Sequence, residues 1–107
     1  MEIQLIDDEN WKGLQTWQHT GSIYNVVAAK KINNRPIGAW NKMRIVCKGR
    51  NVMVENNGEV LVDANLDDYV KEHGKKHPGI SRDKGHIGFQ SYNFRVEFRD
   101  IVIRELR

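Results

Sequence analysis

Residues 40–63 read WNKMRIVCKGRNVMVENNGEVLVD, and this stretch decides the fold class. Through Lys48 the chain alternates, with Met43, Ile45 and Cys47 on one side and Arg44, Val46 and Lys48 on the other. That is the period of a half-buried strand. Gly49-Arg50 turns the chain into a second run over 51–55, and Asn57-Gly58 follows. This pair accepts positive φ at both central positions of a two-residue type I′ turn more readily than most, so 59–63 is the returning arm of a hairpin.

Outward from this centre the same short periods recur. Residues 1–6 place Met1, Ile3 and Leu5 on one face and Glu2, Gln4 and Ile6 on the other, and 23–28 read as a further strand. Between them, 7–22 is a long polar connection carrying Trp11 and Trp17, and loops of this length usually line a site or fold over the core. Asn33-Asn34-Arg35-Pro36 is a turn. Residues 66–73 suit one or two helical turns, with Asn65 as N-cap and Asp67 and Asp68 in the first turn, where the helix dipole favours negative charge. Residues 86–91 and 95–106 read as two closing strands around Tyr92-Asn93. Val96 and Phe98 share a phase that Ile101 and Ile103 leave, so a bulge is expected near Arg99-Asp100. Seven strands and little helix predict an all-β, antiparallel domain over 1–107.

Composition excludes several classes. Hydrophobic residues are 39% and charged residues 29% of 107, near the globular average and unlike a disordered tail. No apolar run approaches the ~20 residues of a bilayer span, so no membrane insertion is expected. Cys47 is the sole cysteine, which removes an internal disulfide and a zinc cluster. Residues 1–6 lack the basic and apolar segments of a secretory leader. The net charge of +3 sits in 71–86, where five Lys/Arg face Glu72 and Asp83. Gly74, Pro78, Gly79 and Gly85 punctuate that stretch as a solvated connection, and no aromatic residue interleaves with its lysines, so nucleic acid is not expected as a partner.

Five segments together resemble the 3-keto-disaccharide hydrolase family: MEIQLIDD (1–8), TGSIY (20–24), RPIGAWNKMRI (35–45), GHIGFQ (85–90) and VEFRDI (96–101). The resemblance implies a concanavalin A-like jelly-roll β-sandwich, of which this chain is the C-terminal part. Family domains are expected to continue upstream through strands that complete both sheets. It also implies cleavage of 3-keto-glycosides by proton abstraction next to the ketone, loss of the C1 substituent and addition of water. An oligosaccharide or glycoside is the implied partner. No cofactor or metal is assigned, and the bacterial periplasm or cell surface is where the resemblance points. At Ser91-Tyr92-Asn93 many relatives carry a His-Gly pair, so no role of that histidine transfers.

Such chemistry needs a base, an enolate stabiliser and an acid for the leaving oxygen. The resemblance puts Glu2 and Gln4 on the sugar-facing sheet, which makes Glu2 the candidate base and Gln4 a hydroxyl or ketone contact. The bland alternatives are an exposed edge carboxylate and a solvent-facing amide. His19 and Tyr24 flank Thr20-Gly21-Ser22 and are the other catalytic candidates, with half-buried sheet packing as the alternative for Tyr24. Trp17, with Trp11, offers a stacking wall for a pyranose or packs under the loop. His86 and Gln90 share a strand face with Gly88 between them, and Gly88 allows close backbone approach. Trp40 reads as core and Asn41 as a turn residue. Glu97 and Arg99 read as a surface ion pair. Asp7 and Asp8 suit a hard cation or, more commonly, turn capping. Two other classes compete with an enzyme: a carbohydrate-binding module without turnover, and a protein-interaction module whose open edges pair as a homo-oligomer.

Overall fold

The turn at Asn57-Gly58 has the expected conformation, with φ of 51° and 84°, and around it β2 (Asn51–Asn56) returns as β3 (Glu59–Asn65). In this computed structural model, which describes residues 1–106, β1 (Met43–Lys48) pairs antiparallel with the far edge of β2. The three strands form one antiparallel sheet in chain order. Helix α1 (Asp67–His73) follows, and 3-10 turns lie at Thr16–Gln18 and Pro78–Ser81. The architecture is all-β with one short helix, consistent with part of a jelly roll.

Alternation decides the core. Val52 and Val54 of β2 and Val62 and Ala64 of β3 are buried on one face, covered by Ile23, Leu66 and Ile80. Burying each large aliphatic side chain contributes about 1.5–3 kcal/mol. The pairing slips once: Val54 opposes Val62 but Glu55 opposes Val60, which leaves Leu61 without an opposite residue. Adjacent Leu61 and Val62 are therefore both buried, which strict alternation forbids. The Leu61 carbonyl accepts the Lys30 N–H at 2.9 Å, and its side chain fills the space beside Gly21. A Cβ on Gly21 would lie 2.7 Å from Leu61 Cδ1, and Gly21 has φ +89°.

The N-cap of α1 is Leu66, not the expected Asn65, and it makes no side-chain cap bond; Asn65, one position earlier, accepts the Asp67 N–H through Oδ1 at 3.0 Å. Arg50, read from the sequence as part of a turn, does more. Its Nε donates to Asp67 at 2.8 Å, and its guanidinium also donates to the carbonyls of Ile80 and Arg82. One side chain thus ties the start of α1 to the 78–82 turn.

Four expected strands are not formed. Residues 1–6 and 23–28 contribute only isolated bridges, Ile3 to Ile23 and Ile23 to Val27. The Thr20 hydroxyl accepts the Ile6 N–H at 3.1 Å and donates to the Ile6 carbonyl at 2.9 Å, so a side chain occupies the place of the next ladder pair. Residues 23–27 curl instead of extending, because Asn25 adopts φ 59° and the N–H groups of Val26 and Val27 both donate to the Ile23 carbonyl. Asparagine tolerates that left-handed conformation. Residues 86–91 and 95–106 carry no strand, and Ile87, Phe89, Val96 and Ile103 are exposed. An alternating run becomes a strand only beside a partner that takes its backbone groups, and no backbone pairing reaches this segment among the described residues. Asp100 does turn the chain, with φ 52°, but no ladder exists there for it to bulge.

What holds the loops to the sheet is polar. Asn56, 1% exposed, donates through Nδ2 to the Oδ1 atoms of Asn33 and Asn34, both at 2.9 Å. Asn33 returns a bond to the Asn56 carbonyl at 2.6 Å. Asn34 Nδ2 reaches Asp8 at 2.7 Å and Thr20 Oγ1 at 2.9 Å. Asn57 donates to the Asn33 carbonyl and to Asn41 Oδ1, while Asn41 Oδ1 also takes the Arg35 N–H, in keeping with a turn role. Asn56 Oδ1 has no partner among the described residues.

Two measurements check these packings. Gly21→Ala is expected to lower the urea midpoint further than Gly58→Ala, although both positions have positive φ: only Gly21 adds a clash, and overpacking costs about 1–3 kcal/mol. Equal midpoints would mean that Leu61 yields freely. Asn56→Ala leaves two half-buried carbonyls without their donor, an expected loss of about 1–3 kcal/mol, whereas Asn51→Ala, whose side chain makes one exposed bond to Asp63, is expected to change stability by less than about 1 kcal/mol.

Candidate functional site

The N-terminal segment, the 23–27 turn and the 76–82 segment meet around a cleft of about 400 Å³. Ile23 and Ile80, both fully buried, lie beneath it, and its polar lining comes from Glu2, Tyr24, Lys76, His77, Arg82 and Gln90. A concave site of this volume with a few convergent polar groups is the place to look for a small ligand. Glu2 is fixed from behind, because its carbonyl accepts the Tyr24 N–H at 2.9 Å. The two candidate side chains therefore sit on adjoining backbones. Gly79 closes one end: a Cβ there would fall 2.5 Å from the Met1 nitrogen, so only glycine lets the two backbones approach so closely.

Tyr24 is held on two sides. Trp17 meets its ring edge-on with centroids 5.2 Å apart, and Gln18 Nε2 donates to its hydroxyl at 3.4 Å. His77 is positioned by its own N–H, which donates to the His73 carbonyl at 2.8 Å, and by the Asn25 amide, 2.7 Å from Nε2. Asn25 makes that contact from a left-handed backbone, φ 59°.

Of the seven site residues expected from the sequence, the structure brings Glu2, Tyr24 and Gln90 to one cleft. Trp17 stands behind Tyr24. Gln4 pairs through its backbone with Gly21 and Ser22 and does not line the cleft. His19 is engaged elsewhere: its Nδ1 meets Asp8 Oδ1 at 2.9 Å. That carboxylate, 3% exposed, also takes the Thr20 N–H and the Asn34 amide. His86 is exposed and outside the cleft, and Gly88 has open space where a close approach was expected.

Other readings resolve in the same way. Asp7 serves a turn, its carboxylate accepting from the backbones of Glu9 and Asn10 and from the Asn10 side chain. Burial pushes the Asp7 carboxyl up, but those bonds with Asn10 and Glu9 and the nearby Lys12 outweigh it and hold the group below the usual carboxylate value. Trp40 is on the surface beneath the Arg99 guanidinium, 4.0 Å from the ring centroid, and not in the core. Glu97 pairs with Arg95 at 2.9 Å, while Arg99 faces Asp100. Trp11 meets Phe94 edge-on.

The sequence reading missed Lys76, His77, Arg82 and Asn25. Residues 71–86 looked like a solvated connection because glycines and a proline interrupt them. The available signal was Pro78-Gly79 after a histidine, a turn with room for another backbone.

The family model described as a 3-keto-alpha-glucoside-1,2-lyase-like domain matches residues 1–104. Among solved structures the chain is similar to a candidate glycosyl hydrolase from Parabacteroides distasonis ATCC 8503. The two are 30% identical with a TM-score of 0.52, over 56% of this chain and 31% of that one. The matched part thus covers under a third of that solved protein. No curated protein matches. The span matched by the family model contains every residue that lines the cleft, and the chain belongs to the 3-keto-disaccharide hydrolase family.

Proposed function

We propose that the cleft binds a 3-keto-glycoside and cleaves its glycosidic bond by elimination across C1 and C2 followed by hydration. The observation that carries this reading is the convergence of Glu2, Tyr24 and Gln90 on one cleft, in a chain matched almost throughout by a 1,2-lyase-like family model. A ketone at C3 acidifies the C2 hydrogen. The Glu2 carboxylate takes that proton, and the electron pair enters the enolate on the C3 oxygen. Collapse of the enolate breaks the C1–O bond, the leaving oxygen takes the Tyr24 proton, and a C1–C2 double bond conjugated with the ketone remains. Water then adds at C1 and gives its proton to the Tyr24 phenolate while Glu2 returns its own to C2, so both residues are regenerated and the free 3-keto-sugar results.

The other residues fit supporting tasks. If the Asn25 amide donates to His77 Nε2, 2.7 Å away, the ring proton lies on Nδ1. His77 and the Gln90 amide are then the donors available to the enolate oxygen, where preorganised donors act most strongly. Trp17 keeps the Tyr24 ring at its angle. In this reading His19, paired with the buried Asp8, anchors the 19–22 loop that carries Tyr24.

A second reading, glycoside binding without turnover, is favoured by one observation. Gln90 comes from the C-terminal segment, which has no backbone hydrogen bond to the rest among the described residues. A wall not held by a ladder binds sugar more readily than it orients a transition state.

Exchange of the C2 hydrogen separates the two. In deuterated water with a 3-keto-disaccharide, the chain is expected to place deuterium at C2 and release the free sugars, both followed by NMR. Glu2→Gln is expected to slow both by ~10²–10⁴-fold with the protein's own amide dispersion unchanged. Exchange at the wild-type rate in a folded Glu2→Gln variant would remove Glu2 as the base. Tyr24→Phe is expected to retain deuterium incorporation while bond cleavage falls by ~10–10³-fold, because the acid acts after the proton has left carbon. Saturable sugar shifts with no exchange in the wild-type chain would establish the second reading.

A further inference from the structure

The cleft carries more positive charge than neutral sugar chemistry requires. Lys76 and Arg82 both line it, and neither has a carboxylate partner within ion-pairing distance among the described residues. Lys75 and Lys84 are likewise without a carboxylate at that distance, so what sets Lys76 and Arg82 apart is their place on the cleft and not the lack of a partner. Lys31 pairs with Glu59, Arg44 with Glu55, Arg50 with Asp67 and Arg95 with Glu97. Across the cleft Glu2 supplies a negative charge, yet it is not within ion-pairing distance of either cation.

The placement is built. Arg50 donates to the carbonyls of Ile80 and Arg82, Ile80 is fully buried, and Gly79 packs on the Met1 backbone. The backbone that presents Arg82 is thereby anchored at three successive points. Lys76 precedes His77, whose N–H is bound to the end of α1 and whose ring meets Asn25. The two cations therefore emerge from a fixed backbone at the rim of the cleft, with exposed side chains. An anion held by Lys and Arg there forms charge-assisted hydrogen bonds, which must outweigh the rotamer entropy of those two side chains.

We propose that the cleft selects glycosides bearing an anionic group, a carboxylate or a sulfate ester, which Lys76 and Arg82 bind while Glu2 and Tyr24 face the uncharged part of the sugar. The inference rests on reading the cleft as a glycoside site and names the substrate class of that site. The division of charge follows from the wall itself. An anion beside Glu2 would be repelled, so the acidic group lies toward the 76–82 side.

Binding of unoxidised glycosides tests it, since without a ketone no C2 proton is acidified and turnover plays no part. Methyl α-D-glucoside, methyl α-D-glucuronide and methyl α-D-glucoside 6-sulfate are titrated into the isotope-labelled chain and followed by amide shifts. At least one anionic glycoside is expected to bind ~10-fold or more tightly than the neutral one, and the better of the two assigns the anion. The preference is expected to shrink to within ~3-fold at 0.5 M NaCl, where the Debye length is a few ångströms. It is expected to vanish in Lys76→Ala/Arg82→Ala and to survive in Lys75→Ala/Lys84→Ala, whose targets lie outside the cleft.

Equal affinity for all three glycosides, binding of none, or equal loss in the two double variants would overturn the inference. The last result would mean a diffuse basic surface instead of a site. An anionic preference in a chain that never exchanges the C2 hydrogen of a 3-keto-glycoside would sink the reaction and leave this inference standing. Turnover of a neutral 3-keto-glycoside without any anionic preference would do the reverse.

Discussion

One buried amide governs how this chain is assembled. Asn56 lies at the end of β2, where the alternation of Val52 and Val54 brings its side chain inward. A polar group buried there needs partners, since an unpaired amide in an apolar interior costs several kcal/mol. It finds them in Asn33 and Asn34, and through Asn34 in Asp8 and Thr20. The N-terminal segment, the 19–22 loop and the 33–34 turn are thereby hung on the sheet by side chains. That is why these segments keep defined positions while making only isolated backbone bridges.

The cleft inherits its shape from this arrangement and from Arg50. Tyr24 follows the loop that Thr20 and Asp8 hold, and Glu2 follows the backbone that this loop pairs with. On the opposite side Arg50 fastens the 78–82 turn to the start of α1. The polar wall is thus assembled by two anchors lying outside it, one of asparagines and one of a single arginine. The bulge at Leu61 links the two halves. By burying Leu61 as well as Val62 it fills the space above Gly21 and lets Lys30 pair with β3.

Strand periodicity was legible wherever two runs adjoin in the chain. Residues 43–48, 51–56 and 59–65 form strands close to where the alternation and Asn57-Gly58 put them, because a hairpin's partner is its own continuation. The same alternation in 86–91 and 95–106 was equally clear in sequence but forms no strand. Its partner is not set by local chain direction, so the pattern records what the segment would bury and not what it pairs with. The family, too, was legible, from short segments spread across the chain.

The site was half legible. Glu2, Tyr24 and Gln90 were readable as residue types in a family pattern, since their chemistry is their own. His77, Lys76, Arg82 and Asn25 were not, because nothing in a glycine-interrupted basic stretch says which residues face a distant loop. The sequence by itself determined the sheet, its hairpin turn, the helix at 67–73 and the family, all of which depend on neighbours a few residues apart or on motif identity. Only the tertiary structure decided that His19 serves Asp8 and not the cleft, and that 76–82 completes the wall. Those placements depend on long-range hydrogen bonds from Asp8, Asn25 and Arg50, whose partners lie 11 to 52 residues away along the chain.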